Sequence, residues 1–479
     1  MKKYLFPAIA FLLVSVTSFS QKFSGKEKTE VIILHVNDMH AKIDDLSKLK
    51  YLADSLRSTH PHVFLLSAGD NFTGNPVVDM VADKGYPMID LMNACRFTAS
   101  CLGNHEFDLG QEMLNRRMEQ ATFPFLCGNV DAAGAILKQP RPFIVLDAGK
   151  DARIAVLGII QRGENGLPDS HPSKMTGLKF SDGIATAQQY TYLKKQYGIL
   201  VALTHLGVED DARLAESMPQ IDLIVGGHSH TVIDTGMIVN GVMIVQAGSG
   251  LKYVGKTTLH IENGKVTGRH EELIPMLAIP KKDPKAQASI DQYNSNEELN
   301  RVVGYAEKPV EGYDQLGSLM TDAITSGLKV DIAFQNRGGI RILSLPQGDI
   351  TLNDVYKLDP FGNQVVTYRM TLAEIQSLIC NAYNREKQID LEVSGMTYTV
   401  FRDVSGLCSD MEMLDKSGAP LDASRTYTVA VNSYIAAGYR FDHADPGTSG
   451  MITTEQLLID YLGKAGKVDY SGVRRAFVK

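Results

Sequence analysis

Asp38 and His40 stand just after an apolar run at 31–36, and that arrangement recurs along the first half of the chain. A run at 63–68 leads into Gly69-Asp70-Asn71, and Cys101-Leu102 leads into Gly103-Asn104-His105-Glu106-Phe107-Asp108. Runs at 199–204, 221–225 and 242–246 lead into His205, into Gly226-Gly227-His228-Ser229-His230 and into Ala247-Gly248. Metal-capable side chains thus fall where strands would end, the rim at which open α/β sheets bind ligands. Taken singly, such an Asp caps a helix or turn, and such a His is a hydrogen-bonded surface or core residue. That plainer account holds for His35, His60, His62, His171, His260, His270 and His443, which lack such company. Elsewhere recurrence defeats it: five of the twelve His join two Asp and one Asn at strand ends, beside Gly that lets backbone and metal approach.

Imidazole and carboxylate without thiolate suit Zn, Mn, Fe or Co. Seven ligands exceed what one tetrahedral ion needs. The set therefore reads as two ions about 3.5–4 Å apart, sharing a carboxylate and a hydroxide and clamping the oxygens of an in-line displacement. Bound metal lowers the pKa of water, so a nucleophile exists at neutral pH.

The segments at 37–40, 69–71, 103–108, 204–207 and 226–230 resemble, in order, the metallophosphoesterase blocks of the 5′-nucleotidase family. The resemblance implies that Asp38, His40 and His230 hold one ion, that Asn104, His205 and His228 hold the other, and that Asp70 bridges them. It also implies that His105 faces the transferred phosphoryl group while Asp108 accepts its other N–H. An imidazolium there stabilises the negative transition state, and Asp108 keeps it oriented and protonated. The alternative is that His105 is a third ligand for the second ion.

In the second half, Asn336-Arg337-Gly338-Gly339-Ile340-Arg341 and Asp359-Pro360-Phe361-Gly362-Asn363 resemble blocks of the family's C-terminal domain. The resemblance implies polar contacts to a nucleotide from Asn336, Arg341 and Asn363, and a base held between Phe361 and Tyr434. Three departures stand out. The segment from Gly312 to Ser318 lacks the family's Arg, Arg337 replaces a Gly, and Arg440 stands where an acidic residue is usual. Arg337 or Arg440 is expected to replace the lost Arg in part.

The elements that must hold these residues alternate along the chain as strands buried on both faces and amphipathic helices. Residues 45–58 carry Leu46, Leu49, Leu52, Ala53 and Leu56 at helical spacing. At 479 residues, two domains are expected. The first, at 29–280, is a four-layer α/β sandwich of two sheets between helices; 281–301 is a linker, helical from 284 to 299; and 302–479 is a smaller α/β substrate domain. The resemblance further implies that the linker lets the second domain swing its nucleotide onto the metals. A net charge of −7 without a basic stripe argues against a nucleic-acid polymer.

Lys2 and Lys3, an apolar stretch at 4–16 and small residues at Ser18 and Ser20 read as a secretory signal over 1–20, with an uncleaved anchor as the alternative. No later run is long enough to span a bilayer, so a periplasmic or secreted protein is expected. The five cysteines do not make a disulfide framework; buried thiols are the plain account, and one bridge is compatible with an oxidising compartment. The favoured activity is hydrolysis of nucleoside 5′-monophosphates to nucleoside and phosphate. The alternatives are cleavage of UDP-sugars, nucleoside polyphosphates or 2′,3′-cyclic nucleotides by the same centre, or a nucleotide-binding surface protein whose catalysis has lapsed. Oligomeric state is not legible.

Overall fold

The computed structural model of the protein describes residues 28–149, 152–163 and 165–479, and the expected leader at 1–20 lies outside them. In strand β1 (Lys28–Val36) every residue from Val31 onward is buried. Val31 and Ile33 enter one apolar cluster, and Ile32, Leu34 and Val36 enter another. A strand apolar on both faces must be covered on both. β1 pairs in parallel with β2 (Val63–Ser67), and the sheet continues through β3 (Ala99–Cys101) to β4 (Phe125–Leu126).

A second sheet contains β5 (Phe143–Asp147), β6 (Arg153–Ile160), β7 (Gly198–His205), β8 (Leu223–Val225), β9 (Met237–Val239) and β10 (Val242–Val245), in the order β9-β10-β8-β7-β6-β5. Val31, Ile33 and Leu66 meet Val156, Val201 and Val225 between the sheets. Outside the first sheet, α1 (Leu46–Thr59) and α2 (Tyr86–Cys95) pack through Leu46, Leu49, Ile89 and Met92. Outside the second, α3 (Val208–Ser217) packs through Leu214 and Ala215. This is the four-layer sandwich expected from the sequence.

The hairpin of β11 (Tyr253–Glu262) and β12 (Lys265–Pro275) was not among the apolar runs, yet it extends the first sheet beside β1. Its first strand alternates buried and part-open residues, and its second buries only Glu271, so neither runs apolar. Its turn was the signal: Asn263 and Gly264 take φ of 54° and 73°, the left-handed pair that a tight two-residue hairpin turn requires.

Between the two units, α4 (Pro284–Tyr293) starts at a cap in which the Asp283 carboxylate accepts the Ala286 N–H. Its Ala286 and Ile290 join the core beneath α1, so this helix is packed onto the first unit. It ends at Tyr293, short of the expected 299, and a 3-10 turn follows at Glu297–Asn300.

Beyond it, β13 (Ile332–Asn336), β14 (Gln364–Met370), β15 (Leu391–Ser394), β16 (Tyr427–Asn432) and β17 (Thr448–Thr453) form a sheet in the order β15-β13-β16-β14-β17. One face packs on α5 (Gly312–Leu328) and α7 (Thr454–Ala465) through Ile324 and Leu457, and the other on α6 (Leu372–Glu386) through Ile375 and Leu378. Cys380 of α6 is bridged to Cys408, while Cys95, Cys101 and Cys127 are buried free thiols. The buried-thiol account is thus corrected for two of the five. Among the described residues no helix is long and apolar enough to cross a membrane.

Candidate active site

Strand ends of the two facing sheets bring the metal-capable residues together. Asp38 and His40 follow β1, Asp70 follows β2, Asn104 and His105 follow β3, His205 ends β7, and His228 and His230 follow β8. Asp70 Oδ2 lies 3.1 Å from His205 Nε2. Asn104 Oδ1 lies 3.1 Å from both His205 Nε2 and His228 Nδ1. Asp38 Oδ1 is 3.3 Å from His230 Nε2, which is 3.1 Å from His40 Nε2. Ligand-capable atoms of Asp38, His40 and His230 all fall within 4.8 Å of one another, and so do those of Asp38, Asp70 and His205.

The remaining polar atoms prepare these donors. His40 Nδ1 faces the Thr73 carbonyl at 3.2 Å, His205 Nδ1 faces that of Ala68 at 2.7 Å, and Asn104 Nδ2 donates to that of Asp169 at 3.0 Å. Each contact leaves the opposite donor, Nε2 or Oδ1, for a metal. The donor set fits two divalent ions. Asp38, His40, Asp70, His228 and His230 all have left-handed backbones, with φ between 46° and 78°. That conformation costs an L-residue roughly 1–2 kcal/mol, and hydrogen bonds such as His40 N–H to the Asp70 carbonyl hold it. Gly103 is required here, because a Cβ would sit 2.2 Å from Asp70 Oδ1.

Glu106 stands in the block at 103–108 but had no role legible from the sequence. Its buried carboxylate accepts the N–H groups of Asp70, Asn71 and Gly103 at 2.9, 2.7 and 2.6 Å, tying two ligand loops together. Burial and the Asp70 carboxylate push its pKa up to about 7, against those donors.

Burial opposes charge on Asp70 too, yet the His205 and His105 imidazoles hold it well below the usual carboxylate range. Burial disfavours a charged His105, but the Asp108 and Asp70 carboxylates raise its pKa above the ordinary imidazole value. Burial and the Arg341 guanidinium lower that of His40. His105 Nδ1 lies 2.6 Å from Asp108 Oδ2. His105 also falls within 4.8 Å of His40 and Asp70, so proximity alone does not separate its two expected roles.

One cavity of about 860 Å³ is lined from the first domain by Asp70, Asn104, His105, Asp108, His228 and His230, and from the second by Asn336, Arg337, Arg341, Phe361, Asn363 and Tyr434. Arg341 Nη2 is 3.2 Å from the ring nitrogens of His40. Asn336 Oδ1 accepts from Asn432 Nδ2 at 2.8 Å, and Asn363 Oδ1 from Ser433 Oγ at 3.2 Å.

The departures in the second domain look different in three dimensions. Arg337 donates to Glu392 at 2.8 Å and to Asp314 at 2.9 Å. Asp314 belongs to the very segment that lacks the family's Arg, so these two departures form one ion pair. Arg440 is not among the residues lining the cavity; Arg385, which no motif pointed to, is. Its guanidinium lies 4.5 Å from the centroid of the Tyr439 ring, beside Tyr434. Arg337, expected with Arg440 to replace the lost cation, lines the cavity but is paired with two carboxylates, and Arg440 is not among the lining residues.

A calcineurin-like phosphoesterase family model matches residues 31–232, and a 5′-nucleotidase C-terminal domain model matches 297–443. The chain belongs to the 5′-nucleotidase family. Within the family it is 27% identical to a 5′-nucleotidase from Vibrio cholerae, over 96% of this chain and 95% of that one. It is 28% identical to a trifunctional nucleotide phosphoesterase from Bacillus subtilis over 85% of this chain, but spans only 32% of that protein's length. A crystal structure of a 5′-nucleotidase precursor from Thermus thermophilus superposes with a TM-score of 0.83 at 25% identity, covering 94% of this chain and 99% of that chain. The cluster of Asp and His side chains is thus the active-site cluster of a metal-dependent phosphoesterase, in a sandwich joined to a second α/β domain.

Proposed function

We propose that the protein hydrolyses nucleoside 5′-monophosphates to nucleoside and phosphate, outside the cytoplasm. The reading rests chiefly on the shared cavity, in which the donors of the first domain face Arg341 and Phe361 of the second. In this reading residues 29–280 carry the metals and 302–479 the nucleoside contacts. Asp38, His40 and His230 would hold one ion and Asn104, His205 and His228 the other, with Asp70 shared between them. The ions, when bound, supply Lewis acidity toward the phosphoryl oxygens and lower the pKa of water.

His105 is the phosphoryl-facing cation. With Nδ1 held by Asp108, its Nε2–H is left for a phosphoryl oxygen as charge develops. Arg341 adds a fixed positive charge beside it. Phe361 and Tyr434 take the base, and Asn336 and Asn363 the polar edge of the nucleoside. The location follows from the basic and apolar start of the chain.

The polar lining of the cavity also takes in Arg385, Glu386 and Gln388. Those polar groups favour a second reading, a nucleotide carrying a further group, such as a nucleotide sugar.

Product formation tests both readings, with metal returned to chelated enzyme: phosphate from AMP and UMP, UMP with glucose 1-phosphate from UDP-glucose, and the monophosphate from cyclic AMP isomers. Monophosphates are expected to turn over fastest; faster UDP-glucose cleavage selects the second reading. Asp70→Ala is expected to lose metal and activity together, and His105→Ala to keep metal yet lose about 10²–10³ in turnover. Hydrolysis that survives full chelation overturns the two-metal reading.

A further inference from the structure

Ser170 lies between β6 and β7, in a stretch that no motif singles out, and it is buried. Its Oγ donates to Asp108 Oδ1 at 2.7 Å, while Asp108 Oδ2 faces His105 Nδ1 at 2.6 Å. The terminal torsion of an Asp side chain is broad. One donor leaves the carboxylate plane free to turn, whereas donors on both oxygens fix it. The adjacent residue is tied to the adjacent partner: the Asp169 carbonyl accepts Asn104 Nδ2 at 3.0 Å. Two neighbouring residues of one segment are thus bonded to the turn that carries Asn104, His105 and Asp108. The segment also borders the cleft, whose lining it shares with Ser433 of the second domain through Asp169, Ser170 and His171.

We propose that Ser170 is a positioning residue for His105, acting through Asp108: its hydroxyl sets the carboxylate plane that aims the imidazole at the transferred phosphoryl group. The inference rests on the reading of His105 given above. It predicts a loss chiefly in turnover, because the Ser170 hydroxyl is spent on Asp108 and the residue is none of the proposed metal ligands or nucleoside contacts. Misplacing a reacting group by a fraction of an ångström is enough to cost an order of magnitude in rate.

The test compares kcat and KM for AMP, metal stoichiometry and melting temperature in Ser170→Ala, Ser170→Thr, Asp108→Ala, the Ser170→Ala/Asp108→Ala double variant and His105→Ala. Ser170→Ala is expected to lower kcat about tenfold, with KM within threefold and metal content unchanged. Ser170→Thr, which keeps the hydroxyl, is expected to recover most of that loss. In the Asp108→Ala background Ser170→Ala is expected to have no further effect, since the path runs through the carboxylate. Should Ser170→Ala not fold, Ser170→Cys keeps the volume, weakens the donor and is expected to show the same kcat-only loss in smaller measure. A kcat within twofold of wild type in Ser170→Ala, or an equal loss with and without Asp108, overturns the inference. Full turnover in His105→Ala overturns the reading beneath it instead, so the two failures are distinguishable.

Discussion

The ring of Phe361 in the second domain lies over that of His105 in the first, with centroids 5.8 Å apart and planes inclined by 28°. Arg341 approaches the same Phe361 ring at 5.7 Å. The residue proposed to hold the base and the residue proposed to face the phosphoryl group are therefore in contact across the domain boundary, and a bound nucleotide must part them.

Removing the ring separates these roles. Phe361→Ala is expected to raise KM for AMP about tenfold, the lower part of what one stacking partner contributes. KM for ribose 5-phosphate, which has no base, should change less than threefold. Steady-state kinetics on the two substrates checks this; equal losses on both would place Phe361 in domain closure and not in base binding.

Metal uptake should release protons. In the metal-free protein burial disfavours a charged His205, but the Asp70 and Asp38 carboxylates raise its pKa to about 10. Below that pH the imidazole is protonated and offers no lone pair, so binding must expel the proton. Chelated enzyme titrated with Mn²⁺ or Zn²⁺ at pH 8 is expected to release protons, fewer above pH 10, and to bind more weakly as pH falls. Calorimetry in two buffers of different ionisation enthalpy measures the count.

The ion pair joining the two departures is a stability feature. Glu392 is fully buried, while Arg337 and Asp314 are 24% and 31% exposed. Breaking a buried pair costs 3–5 kcal/mol; with water reaching Arg337, a loss of about 2 kcal/mol is expected for Arg337→Ala. Burial already raises the Glu392 pKa, and removing Arg337 raises it further. The deficit should be small at low pH, where the carboxyl is protonated in both states, and grow as pH rises through its folded value. Adding Glu392→Gln should restore most of the loss in urea denaturation.

Arg385 carries the opposite expectation. Arg385→Ala should raise KM for nucleotides about tenfold, the worth of one charge-assisted hydrogen bond, with little change in stability. The Arg337→Ala/Arg440→Ala pair should leave KM within twofold. The reverse pattern would return the substrate cation to the motif positions.

The Cys380–Cys408 bridge closes a loop over a sequence separation of 28 residues, a length at which a bridge contributes roughly 3 kcal/mol. Cys408→Ser should destabilise the second domain by about that much and leave metal content intact. Alkylation followed by mass spectrometry should label Cys95, Cys101 and Cys127 only after unfolding.

The sandwich and the seven candidate ligands were legible in the sequence for one physical reason. A strand buried on both faces is a short apolar run, and the residue that ends it at the rim is polar and flanked by glycine, so run and ligand are adjacent in the chain. Asp70, beside Gly69 after β2, shows this directly, and Asp38 after β1 shows the run and ligand without the glycine. The hairpin of β11 and β12 lacked that signature because one face of it stays open.

What only the tertiary structure decided lies between segments far apart in the chain. Asp314 and Arg337 looked like independent departures until packing set them 2.9 Å apart. Ser170 lies 62 residues from Asp108, and Arg385 reaches the cleft from the end of a helix that carries no motif. Short-range pattern follows from strand and turn geometry, which each segment obeys alone. Charge pairing and side-chain aim depend on which segments the cores press together, and neither spacing nor composition records that.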